Sequence, residues 1–139
     1  MPAINWTFLC DYAFADSAGR ASIIRTFTFI RAPKLPIRYP QLFIALEYMA
    51  DRNESFTLGA IITSPSGKQI AKVQLTRKAK SSEKGRVEKG FLPLGFYNCT
   101  FEEPGEHHVE VLINNNSVHY IPLTIQVRKP RSLPKKKSV

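Results

Sequence analysis

The residues with the most obvious chemistry are three histidines, His107, His108 and His119, near the end of the chain. If Asn114-Asn115 is a two-residue turn with both residues at positive φ, Ile113 faces Asn116 and the register of the whole hairpin follows. Val111 then faces Val118, Val109 faces Tyr120, and His119 faces Glu110 with His108 on the same side. Two imidazoles and a carboxylate would lie within about 8 Å. Zinc takes four ligands, or three and a water, and this set falls short. A solvent-facing His and Glu pair is therefore expected, with no metal. Beyond Tyr120 the apolar residues change parity to Ile121, Leu123, Ile125 and Val127. Because Pro122 cannot donate to a ladder, the strand is expected to slip by one residue at 121 to 122.

Nucleophilic chemistry is less well served. The sequence holds no G-x-S-x-G, H-E-x-x-H or G-x-x-x-x-G-K-[ST], the patterns that place a nucleophile, a zinc pair or a phosphate cradle. Gly85, Gly90 and Gly95 recur at a spacing of five without a phosphate-binding lysine. Cys10 and Cys99 form no C-x-x-C, so two free buried thiols are expected. Asp11, beside Cys10, has no histidine partner in the sequence and is expected to bond the N–H groups of a neighbouring turn. Trp6 and Phe8 are read as core rather than as a base-stacking platform, since basic and aromatic residues do not alternate as they do in RNA-binding sheets. A catalytic role, a cofactor and a metal are accordingly not expected.

Charge is the stronger signal. The chain carries a net charge of +9 from 20 basic and 11 acidic residues. Arg128, Lys129, Arg131, Lys135, Lys136 and Lys137 lie in the last twelve residues without an acid, while the preceding body is nearly balanced. A weaker basic stretch from Arg77 to Lys89 is interrupted by Glu83 and Glu88 and reads as a solvated loop. The two prolines of the tail oppose a helix, so residues 128–139 are expected to form an extended basic arm on a folded body, residues 1–127.

The 139 residues suffice for one domain, and 43% hydrophobic content excludes a disordered body. No apolar run is long enough to span a membrane, and the start lacks the pattern of a secretory signal. A cytoplasmic protein is expected, in which the four N-x-[ST] matches carry no meaning.

Period-two alternation dominates. Ile4, Trp6, Phe8 and Cys10 alternate with Asn5, Thr7, Leu9 and Asp11, and the β-branched and aromatic run over 21–31 reads as a second strand. Pro33, Pro36 and Pro40 predict an extended connection over 32–40, excluding helix and central strand, of the kind that links two sheets. Residues 41–50 fit either period and are read as strand from their context. Phe56 to Ile62 and Lys68 to Thr76 form a hairpin about Ser64-Pro65-Ser66-Gly67. An apolar segment from Phe91 to Tyr97 precedes the final hairpin, which Glu103-Pro104-Gly105-Glu106 introduces. The sum is an all-β fold, an antiparallel sandwich of about seven or eight strands, with a barrel as the competing architecture.

Several of these features resemble a known family: Trp6-x-x-x-Cys10-Asp11-x-Ala13, Gly19-Arg20 before a strand, the crossing with Pro36 and Pro40, and the closing Glu103-Pro104-Gly105 hairpin that ends in Ile121-Pro122-Leu123. They resemble a bacterial domain-of-unknown-function family of small cytosolic proteins, similar to immunoglobulin-like β-sandwiches, over residues 4 to 127. The resemblance implies the fold and no activity, and it assigns no catalytic or binding residues. Arg25, the Asn-rich last turn and the basic tail depart from the pattern. The expected function is a non-catalytic binding or assembly module that docks in a larger protein complex, with Arg128, Lys129, Arg131, Lys135, Lys136 and Lys137 contacting a partner or phosphates. The competing function is a nucleic-acid-binding accessory subunit that tracks phosphates with the same tail. The oligomeric state stays open.

Overall fold

The computed structural model describes residues 2–51, 54–78 and 88–128. Nine strands follow in order: β1 (Ala3–Ala15), β2 (Ala21–Thr26), β3 (Phe29–Ala32), β4 (Ile37–Ala50), β5 (Ser55–Thr63), β6 (Gln69–Lys78), β7 (Glu88–Phe101), β8 (Gly105–Ile113) and β9 (Asn116–Val127). No helix occurs among the described residues, so none is long and apolar enough to cross a membrane. The first sheet has the order β2-β1-β4-β7 and the second β3-β9-β8-β5-β6. One apolar core joins them, with Leu42, Ile44 and Leu46 of β4 meeting Phe56, Leu58 and Ile62 of β5 and Val109 and Val111 of β8. Alternation decides which side chains enter it.

The all-β reading holds, with corrections. Among the described residues the strands number nine rather than seven or eight, and the fold is not wholly antiparallel, because β3 runs parallel to β9. The run over 21–31 is not one strand: β2 pairs with β1 in the first sheet, whereas β3 joins the second. The proline-rich crossing does link the two sheets, but it is shorter than expected. β4 already starts at Ile37 and contains Pro40, although β4 lies between β1 and β7. Pro40 is tolerated there because β1 pairs with β4 only as far as Cys10↔Phe43, leaving one side of the strand without a ladder to break.

The last hairpin turns at Asn114 and Asn115, whose φ angles are 51° and 67°, as a two-residue turn that matches strand twist requires. Ile113 faces Asn116 as expected, but the slip comes early. Leu112 faces Ser117 and Val111 faces His119, so Val118 is the extra residue. From there Val109 faces Ile121 and Glu110 faces Tyr120 without further interruption through Pro122. A bulge at Val118 costs one exposed valine and sends Ile121, Leu123 and Ile125 inward on a single parity. A break at Pro122 would instead have buried Tyr120.

Two glycines of β7 exist for close approach. Gly95 pairs with Phe43 and Gly90 with Tyr48, and each aromatic ring lies over its glycine. A Cβ at position 90 would stand 2.3 Å from the ring and hydroxyl of Tyr48, which is buried and packs edge-on against Phe56. Moving that ring disturbs the core rather than a surface rotamer. Gly90→Ala is expected to lower stability by roughly 1–3 kcal/mol in urea unfolding, while Gly19→Ala, in open space but at φ 80°, costs less.

Candidate docking surface

The chain changes sheets within two residues. The Phe27 N–H donates to the Leu9 carbonyl of β1 at 3.0 Å, and the next residue, Thr28, accepts at its carbonyl from the Thr124 N–H of β9 at 3.0 Å. Just before the switch, Arg25 has φ 53°, a backbone conformation that a long side chain adopts only when its surroundings hold it. Those surroundings are visible. Arg25 donates from Nε and Nη2 to the two carboxylate oxygens of Asp11, and Tyr39 donates to the same carboxylate at 3.2 Å. The bonds from Asp11 raise the Arg25 pKa further, and burial followed by the Asp11 charge raises that of Tyr39. Asp11 thus holds a side-chain cation of its own chain. The turn N–H groups expected of it are bound instead by Asp16, which accepts from the amides of Ala18 and Arg20.

This early departure leaves both sheets half-edged. β2 covers β1 only from Cys10 to Ala15, so Ala3–Phe8 has β4 on one side and, among the described residues, no strand on the other. β3 covers β9 only from Thr124 to Val127, so among the described residues Asn116–Leu123 has β8 alone. The two half-edges border one recess of about 640 Å³, lined by Thr7, Phe8 and Leu9 of β1, Phe27 and Phe29 of the crossing, and Ile121 of β9. A smaller recess of about 270 Å³ adjoins it through Arg25, Phe27 and Phe29, and adds Arg31 and Tyr39. Arg31 lies 5.2 Å from the centroid of the Phe29 ring. No carboxylate lines either recess; the only charges are the two guanidinium groups.

The outer side of the first sheet is aromatic. Trp6 packs with Phe8 and Phe91, and Tyr12 packs with Phe14 and Phe43, which in turn meets Tyr97 edge-on. Reading Phe8 as core is corrected here, since it is 46% exposed, whereas Trp6 is half-buried and packs against a small cluster of Cys10, Ala13, Phe43 and Ala45. The bulge between Ile4 and Trp6 turns both outward, so that Leu9 enters the main core while Cys10 joins a small second one with Ala13, Phe43 and Ala45.

The histidines separate. His108 packs edge-on against Tyr120 on the outer face, where Tyr120 donates to Glu106 at 2.6 Å and has its pKa raised to about 12 by that bond. His119 shares the register position of Val111, not Glu110, because of the bulge at Val118. Among the described residues no three metal-ligating side chains come together. His107 is fully buried against Phe101, its Nδ1 bonded to the Gly105 carbonyl at 3.1 Å and its Nε2 without a hydrogen-bond partner. Close by, Ser64 bonds Ser66, which donates to Glu103. The two thiols are free and buried as expected, and burial pushes Cys10 up to about 11 and Cys99 upward as well, which keeps both protonated and unreactive.

Of the six tail cations, Arg128 is described, its N–H bonded to the Ala32 carbonyl at 2.7 Å. Lys129, Arg131, Lys135, Lys136 and Lys137 lie outside the described residues. The basic segment therefore begins beside Arg31. Sequence reasoning missed the recess and the half-edges, since unbroken alternation over 21–31 hides the point at which the chain leaves one sheet for the other.

Burial lowers the pKa of His107 below 6.5. The unfolded chain takes up this proton as pH falls through about 6.5, and the folded chain only at lower pH. Stability is thus lost as pH drops below that value and the loss levels off below the folded pKa. The urea midpoint of the wild type is expected to fall more between pH 7 and pH 5 than that of His107→Leu; parallel profiles would contradict the assignment.

No curated protein matches this sequence. One family model does, over residues 5–126, a span that runs from β1 to β9 and so contains both sheets, the switch between them and the recess. By that match the chain belongs to DUF6941, a family of unknown function.

Proposed function

We propose that this chain is a non-catalytic binding or assembly module, which docks in a larger protein complex through its open sheet edges and uses the basic C-terminal arm to steer the encounter. The observation that carries the reading is the pair of unpaired half-edges around one apolar recess. Folded proteins cover, charge or shorten such edges because they template pairing with another chain. Here Ala3–Phe8 contains no charged residue. The exposed aromatic face beside it supplies the large, stiff side chains that interfaces favour.

The same topology supports an immunoglobulin-like sandwich. β4, β5, β6, β7, β8 and β9 occupy the places of strands B, C, C′, E, F and G, with C′-C-F-G in one sheet and B-E in the other. Two free thiols are consistent with a reducing cytoplasm, and the resemblance noted above points to a bacterial source.

The segregated tail charge favours a second reading, a nucleic-acid-binding accessory subunit. Truncation separates the two. Each phosphate neutralised on duplex DNA contributes about 0.9 to the slope of log affinity against log salt, so six cations supply a slope of about −5 at most. Under the docking reading, a chain lacking residues 128–139 still co-purifies with its protein partner after nuclease treatment, with a lower on-rate and a weaker salt dependence. A truncated chain that retains no protein partner, while the full chain binds unrelated duplexes steeply with salt, would establish the second reading instead.

A further inference from the structure

We infer that the recess and the β1 half-edge together receive an extended, acidic segment of another protein, which adds as a strand beside Ala3–Phe8. The inference rests on the docking reading and gives its partner a chemistry.

The backbone argument comes from register. β2 runs beside β1 as far as Cys10↔Thr26 and then leaves for the second sheet at Phe27. A guest strand continuing the line of β2 would meet six residues of β1, a length of about 20 Å. Strand addition of this kind draws affinity from main-chain hydrogen bonds and specificity from pockets for alternate side chains. Such a pocket is in place. The recess of about 640 Å³ starts at Thr7 and Phe8 and is closed by Phe27, Phe29 and Ile121, a volume suited to large apolar side chains.

The charge argument selects the acid. Among the described residues, Arg25 and Arg31 are the charged residues that line the recess and its neighbour; Arg25 is already paired with Asp11, which leaves Arg31 as the cation open to a guest. Arg128 bonds to Ala32, one residue beyond Arg31, and opens the basic segment. A carboxylate on the guest at the end that meets Leu9 would face Arg31. A basic segment would meet like charge along the same path, and a proline-rich one could not complete the ladder.

The test is a phage-displayed library of random decapeptides selected on the full-length chain. The expected enrichment is Asp and Glu together with apolar residues at alternate positions and no internal proline. Synthetic versions should lose at least tenfold in affinity when the backbone is N-methylated at alternate residues, and at least tenfold against Phe8→Glu and against Arg31→Glu. Both side chains are exposed, and an unchanged melting temperature confirms the fold of each variant. Enrichment of basic or proline-rich peptides, absence of enrichment over an unrelated β-protein, or binding indifferent to N-methylation and to both variants would each overturn the inference. A concentration-dependent dimer of the free chain that Phe8→Glu abolishes would assign the edge to a second copy and overturn it too. Loss of the inference leaves the docking reading standing if the truncated body still retains its protein partner.

Discussion

Two consecutive residues hold the architecture in place. Phe27 is tied through its N–H to β1 and Thr28 through its carbonyl to β9, so the chain is fixed to both sheets within one residue step. These two bonds take over at the point where ordinary ladder pairing stops. Arg25 reaches the switch through a positive φ, a conformation that costs on the order of 1–3 kcal/mol. The bidentate contact with Asp11, itself held by Tyr39 and by the Gln41 amide on the Asp11 carbonyl, over-determines the conformation. An exposed ion pair contributes little to stability by itself. Its role here is to fix direction.

The rest follows from where the switch falls. Had β2 continued beside β1 to Ala3, it would occupy the place of the recess beside Thr7 and Phe8. Because it leaves after Thr26, β3 is only four residues long and parallel to the last four residues of β9. β1 is therefore paired with β2 over Cys10–Ala15 alone and β9 with β3 over Thr124–Val127 alone, and the stretches left bare meet at the recess. The opposite side of the fold differs: Arg77 of the edge strand β6 donates to the Tyr48 hydroxyl at 3.2 Å, and the Tyr48 ring lies over Gly90 of β7. Side chains join the sheets there, whereas backbone crosses between them at the switch.

Much of the fold was legible in the residues. The alternation of Phe56, Leu58, Ala60 and Ile62, the turn at Ser64–Gly67 and the two asparagines of the last turn each have a local physical cause, and each stands where that cause puts it. The failures share a reason as well. Val118, Phe8 and the run over 21–31 look locally like buried strand, and what exposes or divides them is tertiary. A bulge at Val118 lets three later residues keep one parity, and the bulge after Ile4 turns Phe8 outward. The pairing of Thr124 with Thr28 draws the chain out of the first sheet. Apolar periodicity cannot report which neighbour a strand has, so the half-edges had no signature in the sequence. The histidine cluster failed through one misplaced residue of register, since a slip of one moves a side chain to the other face.

The central claim is that the side of β1 turned away from β4 carries β2 from Cys10 to Ala15 and, among the described residues, no strand from Ala3 to Phe8. Residue-resolved amide hydrogen exchange of the free full-length chain measures this directly. The account predicts alternation over Ala3–Phe8, with amides bonded to β4 protected and those between them, which face the side that β2 has left, exchanging at rates typical of exposed backbone. Uniform protection along the whole of β1 would mean that another segment already covers the edge, and would contradict the account.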